Sequence, residues 1–259
     1  MTGVALRPLS VGEIIDASFQ VYRRHFGALA TIVLVCNSVP LLLQIFVEAS
    51  GGGREHPAMM LGYYILYVIL SSIATAATVF VVSESYLGRA ITARDALNRA
   101  TPFVGRVILA SILFGFLAII GFVLLVVPGV IIVCGLVLAT PALVIEALPS
   151  ATAALGRSWS LTGGFRLKIL GLLFLLGVIM VLPWLAISML MGVIGAMAAM
   201  GGAGRSPMLF VVLGVAIGGL VQFFLYPLSH AALTIAYYDL RVRKEGFDLE
   251  VLASTLQAA

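Results

Sequence analysis

The feature that most restricts this chain is the alternation of long apolar runs with short segments that carry almost all its charge. The runs cover 27–47, 58–83, 107–127, 130–145, 169–200 and 208–238. A membrane core about 30 Å thick is crossed by roughly 20 helical residues, so most of the six are long enough to span it. In lipid every backbone polar group must be satisfied within the segment, which makes each run a helix. The whole chain supports this reading, with 62% hydrophobic and 10% charged residues and a mean hydropathy of +1.16. A soluble domain carries roughly a quarter charged residues. The expected fold is therefore all-α: a polytopic membrane bundle of six transmembrane helices.

The segment 146–168 lies between two runs, yet its chemistry is helical. Ser150 follows Pro149 as an N-cap, and Ala151, Ala153, Ala154 and Leu155 favour helix. Leu155, Trp159 and Thr162 fall on one face, and Thr152, Arg157 and Ser160 point elsewhere. Gly163-Gly164 ends the helix. The pattern predicts a short helix in the membrane surface, with Trp159 at headgroup depth. Two earlier segments share the design. Ser10 and Glu13 form a capping box, followed by an apolar stripe of Ile15, Phe19, Tyr22 and Phe26. Thr92-Ala-Arg-Asp95 opens another such helix, ending before Pro102. Ala93, Ala96, Leu97 and Arg99 match Ala151, Ala154, Leu155 and Arg157 at a constant offset of 58. The three units are expected at 10–88, 92–147 and 150–241, each a surface helix followed by a hairpin.

Within the runs, Asn37 and Pro40 are expected to interrupt the first, and Pro183 to kink the fifth. Tyr63, Tyr64 and Tyr67 suit an aromatic belt. Pro128-Gly129 predicts the tight turn between spans three and four. The fifth and sixth runs exceed the required length, so they tilt or project.

Six spans put both termini on one side, and the positive-inside rule says which. Arg7, Arg23, Arg24, Arg89, Arg94, Arg99, Arg106, Arg157, Arg166, Lys168, Arg241, Arg243 and Lys244 share one side, against Arg54 and Arg205 on the other. Thirteen against two places both termini, and all three surface helices, in the cytoplasm. The basic residues are spread between apolar runs, which points to topology and lipid contact and away from nucleic acid. Cys36 and Cys134 lie inside runs as small packing residues. No cleavable signal peptide is expected, since the first run is long and follows a charged segment.

Three stretches carry a resemblance. They are Leu6-Arg-Pro-Leu-Ser-Val-Gly-Glu-Ile-Ile-Asp16; Pro141-Ala-Leu-Val-Ile-Glu146 continuing through Ala154-Leu155 to Arg157-Ser-Trp-Ser-Leu-Thr-Gly163; and Tyr237-Tyr-Asp-Leu-Arg241-Val-Arg-Lys-Glu-Gly-Phe-Asp248. Together they resemble the membrane domain found beside glycerophosphoryl diester phosphodiesterases, and related stand-alone six-span bacterial proteins. The resemblance covers essentially the whole chain. It implies residence in a bacterial inner membrane and a link to phospholipid metabolism. It does not imply hydrolysis, because in the full enzymes the chemistry belongs to a separate TIM barrel.

Polar groups at membrane depth are expensive and so worth weighing. Asn37, Gln222 and His230 are the deepest. For His230 the bland reading is a neutral imidazole, hydrogen-bonded to a carbonyl freed by Pro227 or to a neighbouring span. It lies eleven residues before Arg241, or roughly 16 Å in, close to mid-membrane. Glu84 and Glu146 sit at span ends near the surface-helix arginines. One reading is an ion-pair network that fixes those helices; the other is a headgroup pocket. Arg99, Arg157, Arg166 and Lys168 are candidate contacts to anionic lipid, at about 1 kcal/mol each. No paired carboxylates, nucleophile–base set or metal cluster is visible, so no catalytic residue, cofactor or metal is expected. The leading expectation is a non-catalytic scaffold or accessory protein associated with phospholipid. The alternative is a carrier or flippase for a lipid-like or small substrate, for which Pro40, Pro183 and Pro227 supply helix breaks. Expected partners are membrane lipids, with another membrane protein or subunit left open.

Overall fold

The computed structural model describes residues 7–49, 57–200 and 207–247, together with Leu249. The polar hairpin with Arg54, Glu55 and His56 and the turn with Arg205 lie outside the described residues. The described secondary structure is helical. It comprises α1 (Val11–Arg24), α2 (Phe26–Ala49), α3 (Pro57–Tyr86), α4 (Ala93–Ala100), a 3-10 turn (Thr101–Phe103), α5 (Val104–Leu124), α6 (Val126–Leu136), α7 (Ala139–Ile145), α8 (Ala151–Thr162), α9 (Arg166–Met200) and α10 (Pro207–Glu245). Six segments are long and apolar enough to cross a membrane, as in a multi-pass membrane protein. A short helix precedes each long hairpin: α1 before α2–α3, α4 before α5–α6, and α8 before α9–α10.

The short helices start where side chains satisfy backbone donors. Ser10 accepts from the Glu13 amide at 3.3 Å, and Glu13 accepts from the Ser10 amide at 2.7 Å. Thr92 accepts from the Asp95 amide, and Ser150 from the Ala153 amide, each at 3.1 Å. Helix α8 stops at Gly163, and Gly164 has φ +85°, a left-handed turn that glycine takes without strain.

Several sequence expectations change. The turn between α5 and α6 is at Leu125, whose backbone is extended, and not at Pro128-Gly129. Pro128 instead sits in the first turn of α6, where its missing amide costs no helical bond. A Cβ at Gly121 would meet the Gly129 Cα at 2.8 Å, so Gly129 serves helix contact. In α1 the buried face is Ile14, Ile15, Ser18 and Val21, while Phe19 and Phe26 of the expected stripe are exposed. The face turned to α9 and α10 is the less bulky one, and the phenylalanines point outward. Helix α2 runs unbroken through Asn37 and Pro40, and α9 is continuous through Pro183.

The fourth apolar run breaks in two. Pro141 has no amide to donate and crowds the carbonyl one turn back, so α6 gives way to α7 at Val137-Leu138. The break is filled from α8. Ser158 donates to the Gly135 carbonyl at 2.7 Å and accepts from the Leu138 amide at 3.2 Å. Thr162 donates to the same carbonyl at 3.2 Å. Trp159 lies directly over Gly135, where a Cβ would collide with the indole at 2.4 Å.

The buried residues form two clusters. One joins α1, the starts of α9 and the end of α10 around Ile14, Leu161, Ile169, Leu172, Ile235 and Tyr237. The other joins α2, α3, α4, α5 and α7 around Ile32, Ala77, Ala100, Val107 and Leu143. Helix α8 belongs to both, giving Leu161 to the first and Ala154 and Leu155 to the second.

Helix lengths differ sharply. Helix α5 has 21 residues, about 31 Å, whereas α9 has 35 and α10 has 39, about 52 and 58 Å.

Candidate functional site

Ordinary packing places the ends of α3, α7 and α10 beside α8 and the N-terminal segment, and their charged residues meet there. This basic end holds three carboxylate centres. At the first, Glu146 follows α7 and accepts from Arg157 of α8 through Nε at 2.8 and 2.9 Å and Nη2 at 2.7 Å. Arg157 also reaches Glu245 of α10, with Nη1 at 2.5 Å and Nη2 at 2.8 Å. The Tyr237 hydroxyl donates to Glu146, and Arg241 donates to Glu245 at 3.1 Å. The guanidinium of Arg157 is thus shared by two carboxylates, Glu245 and then Glu146, which raise its pKa still further. Such forked, charge-assisted contacts fix direction as well as distance.

At the second centre, the fully buried Asp239 of α10 accepts from the Leu9 amide at 2.6 Å, from Lys168 of α9 and from Arg243 at 3.1 Å. Lys168 and Arg243 also donate to the Leu9 carbonyl, at 2.6 and 2.8 Å. Both backbone groups of Leu9 are therefore held, and the N-terminal segment is tied to α9 and α10. At the third, Glu84 near the end of α3 pairs with Arg89 at 2.8 Å and with Arg99 of α4 at 3.2 Å. Tyr238 bridges the region by stacking on Tyr86 and bonding Ser83 at 2.5 Å.

The sequence candidates therefore separate. Arg157, Lys168, Arg99, Glu84 and Glu146 are brought into these centres. Arg166 is different. Its guanidinium lies over the Trp159 ring at 3.9 Å, and its Nε is buried without a hydrogen-bond partner among the described residues. No acidic residue among those described pairs with it. Beside it Lys244 donates to the Ser160 carbonyl at 2.6 Å, and the Trp159 side of the site is open to the surroundings.

The intramembrane candidates lie elsewhere. Asn37 is buried on α2. The side chain of Gln222 lies outside the described residues. His230 packs edge-on against Tyr226, ring centroids 4.4 Å apart. Its ring makes no hydrogen bond among the described residues, which replaces the bond expected near Pro227 with an aromatic contact. Its neighbour Thr234 donates to the His230 carbonyl at 2.7 Å, one turn along the same helix.

Sequence reasoning missed Asp239, Glu245 and Tyr237 as site members. Their partners outside α10 are 71 to 230 residues away in the chain, a distance no local pattern spans. The signal present was an ionisable residue, Asp239, directly after two tyrosines at a span end. Among the described residues no three of His, Cys, Asp or Glu lie together so as to hold a metal ion. Comparison with family models, with curated proteins and with solved structures gives no match.

Proposed function

We propose that this chain is a non-catalytic accessory or scaffold protein of the bacterial inner membrane. In this reading its basic end faces the cytoplasm and the anionic leaflet, with α1, α4 and α8 as interfacial helices and phospholipid as partner. A second membrane protein is the further partner it would organise. The resemblance noted in the sequence is in keeping with a phospholipid setting. The observation that carries the reading is Arg166 stacked on the half-exposed Trp159, with no acidic residue among those described paired to it. A cation over an indole at a span mouth is the arrangement that meets a lipid phosphate. Arg157 and Lys168 by contrast are committed to carboxylates within the protein.

The test is native mass spectrometry of the protein released from mixed lipid. Arg166→Glu should lower retention of phosphatidylglycerol by about fivefold, the equivalent of roughly 1 kcal/mol per cation. Arg205→Glu should leave it unchanged, and equal retention in the two variants would refute the lipid role. Orientation is checked separately. In a background lacking Cys36 and Cys134, cysteines at Gly52 and Ser206 should label from outside intact cells and those at Thr2 and Ala258 should not.

One observation favours the carrier reading: a cavity walled by α2, α3, α9 and α10. Proteoliposome uptake of lysolipids and glycerophosphodiesters, compared with His230→Gln, decides between the two. A scaffold gives no gradient-driven uptake in either.

A further inference from the structure

Away from the basic end, contacts such as Gly195 with Phe210 and Gly214 with Met191 join α9 and α10. Between them and α2 lies a cavity of about 690 Å³ walled by Trp184, Met191 and Phe210 and by a series of glycines. A smaller lobe of about 150 Å³ adjoins it between α2, α3 and α10, sharing Gln44 and Gly219 as walls. The large lobe alone has the size of a ligand pocket.

Glycines on facing membrane helices usually let backbones touch. Here two of them do not. A Cβ added at Gly192 or Gly218 would meet no atom within 4 Å. These two positions widen a space beside the helix contact. At Gly195 and Gly214 a Cβ would reach Phe210 and Met191 in ordinary contact, at 3.6 and 3.5 Å, whereas Gly219 is tightly packed, since a Cβ there would strike Leu41 at 2.4 Å. It brings α10 against α2 at the boundary between the lobes.

The small lobe sets a few polar side chains in a mostly apolar wall. Asn37 is 8% exposed, lines this lobe, and its carboxamide makes no hydrogen bond among the described residues. Its amide atoms open onto the lobe, where they can donate to and accept from an occupant. Gln44 accepts a long bond of 3.4 Å from Tyr63, which leaves its amino group to donate. Tyr67 adds a further hydroxyl, whereas that of Tyr226 is engaged with Thr75 at 2.6 Å. Among the described residues no Asp, Glu, Lys, Arg or His lines either lobe. A phosphate or carboxylate would enter without a counter-charge, at a high desolvation cost.

We infer that this two-lobed cavity binds an uncharged lipid whose small head, a hydroxyl or carbonyl, is held by Asn37 and Gln44 while its hydrocarbon chain fills the space between α9 and α10. This rests on the reading of the chain as a membrane protein, but it uses no residue of the basic end.

The probe is an equimolar mixture of dioleoylglycerol, phosphatidylglycerol and phosphatidylethanolamine. The full chain is reconstituted with it, released, and weighed by native mass spectrometry. Wild type should retain dioleoylglycerol in preference to both phospholipids at one site per chain. Gly192→Leu with Gly218→Leu fills the large lobe and should reduce that retention at least tenfold. Asn37→Leu removes the amide at similar volume and should abolish the preference while leaving chain binding. Circular dichroism and a thermal melt establish that each variant is folded. Undiminished diacylglycerol retention by the folded, filled variant overturns the inference, as does wild type that holds phospholipid equally well. Phosphatidylglycerol retention through Arg166 is read in the same spectra, and its loss or survival bears only on the lipid role of the basic end.

Discussion

The two ends of this molecule are held together by different forces. At the basic end nearly every carboxylate joins two or three elements: Glu146 and Glu245 hold α8 against α10, Asp239 holds the N-terminal segment and α9, and Glu84 holds α4. At the other end the described side chains of α9 beyond Leu176 are partly or fully exposed, and a cavity replaces the core. Among the described side chains of α10 the buried ones begin only near Pro227. The contrast follows from the solvent. Lipid is as apolar as leucine, so spans gain little from hiding apolar faces from it. Association must come from polar pairs and close-fitting small residues, and these are concentrated at one end. Ala74, Ala76, Ala77, Ala231, Ala232 and Ala236 are all buried there.

If that division is right, lesions at the basic end should destabilise steeply and lesions at the other end hardly at all. Asp239→Ala should have the greatest effect. It leaves Lys168 and Arg243 beside a vacated buried site, a loss of about 3–5 kcal/mol, read as thermal melting in detergent. Arg157→Met should cost about 2–3 kcal/mol, because it uncouples α8 from α10 while Tyr237 still caps Glu146. Ser158→Ala should cost about 2 kcal/mol by orphaning the Leu138 amide and leaving the Gly135 carbonyl to Thr162 alone, and Ser158→Thr should not restore it if the site is too tight for a methyl. Gly192→Ala should go the other way and stabilise by about 0.5–1 kcal/mol, since the site is open and alanine favours helix. A loss there would break the contrast.

The mildest perturbation is pH. Glu13 is held at a pKa of about 2, first by the Ser10 amide and then by Arg7. A carboxyl with a lowered folded pKa contributes fully above its ordinary value of 4.5, and that contribution is lost as pH falls towards about 2. Protection of the Ser10 amide from hydrogen exchange should therefore decline across this window while the Asp239 centre persists. Simultaneous loss of both would show the N-terminal cap and the buried centre to be one cooperative unit.

The spans were readable because length and apolarity are local properties, and the caps at Ser10, Thr92 and Ser150 because each is closed by a residue three positions on. The face of α1 that packs was not readable. Phe19 and Phe26 look like core in water, but in lipid a phenylalanine serves equally well outside. Periodicity loses its meaning when both surroundings are apolar. The runs of small residues near 72–79 and 231–236 would have been the better guide. Pro128-Gly129 misled because proline opens helices as readily as turns. The basic centres were half legible: Glu84 and Glu146 stood out as carboxylates at span ends, but their assembly with Tyr237, Asp239 and Glu245 depends on contacts across the whole chain.

The joint between α6 and α7 carries a consequence for how the protein is made. Two backbone groups in the middle of the fourth apolar run find their partners on Ser158, which is synthesised about twenty residues later. Until α8 emerges and docks, that run reaches the bilayer with an open carbonyl and an open amide, a state lipid does not tolerate. The fourth span and α8 are thus one unit of biogenesis, and the translocon must keep the span sheltered until the serine arrives.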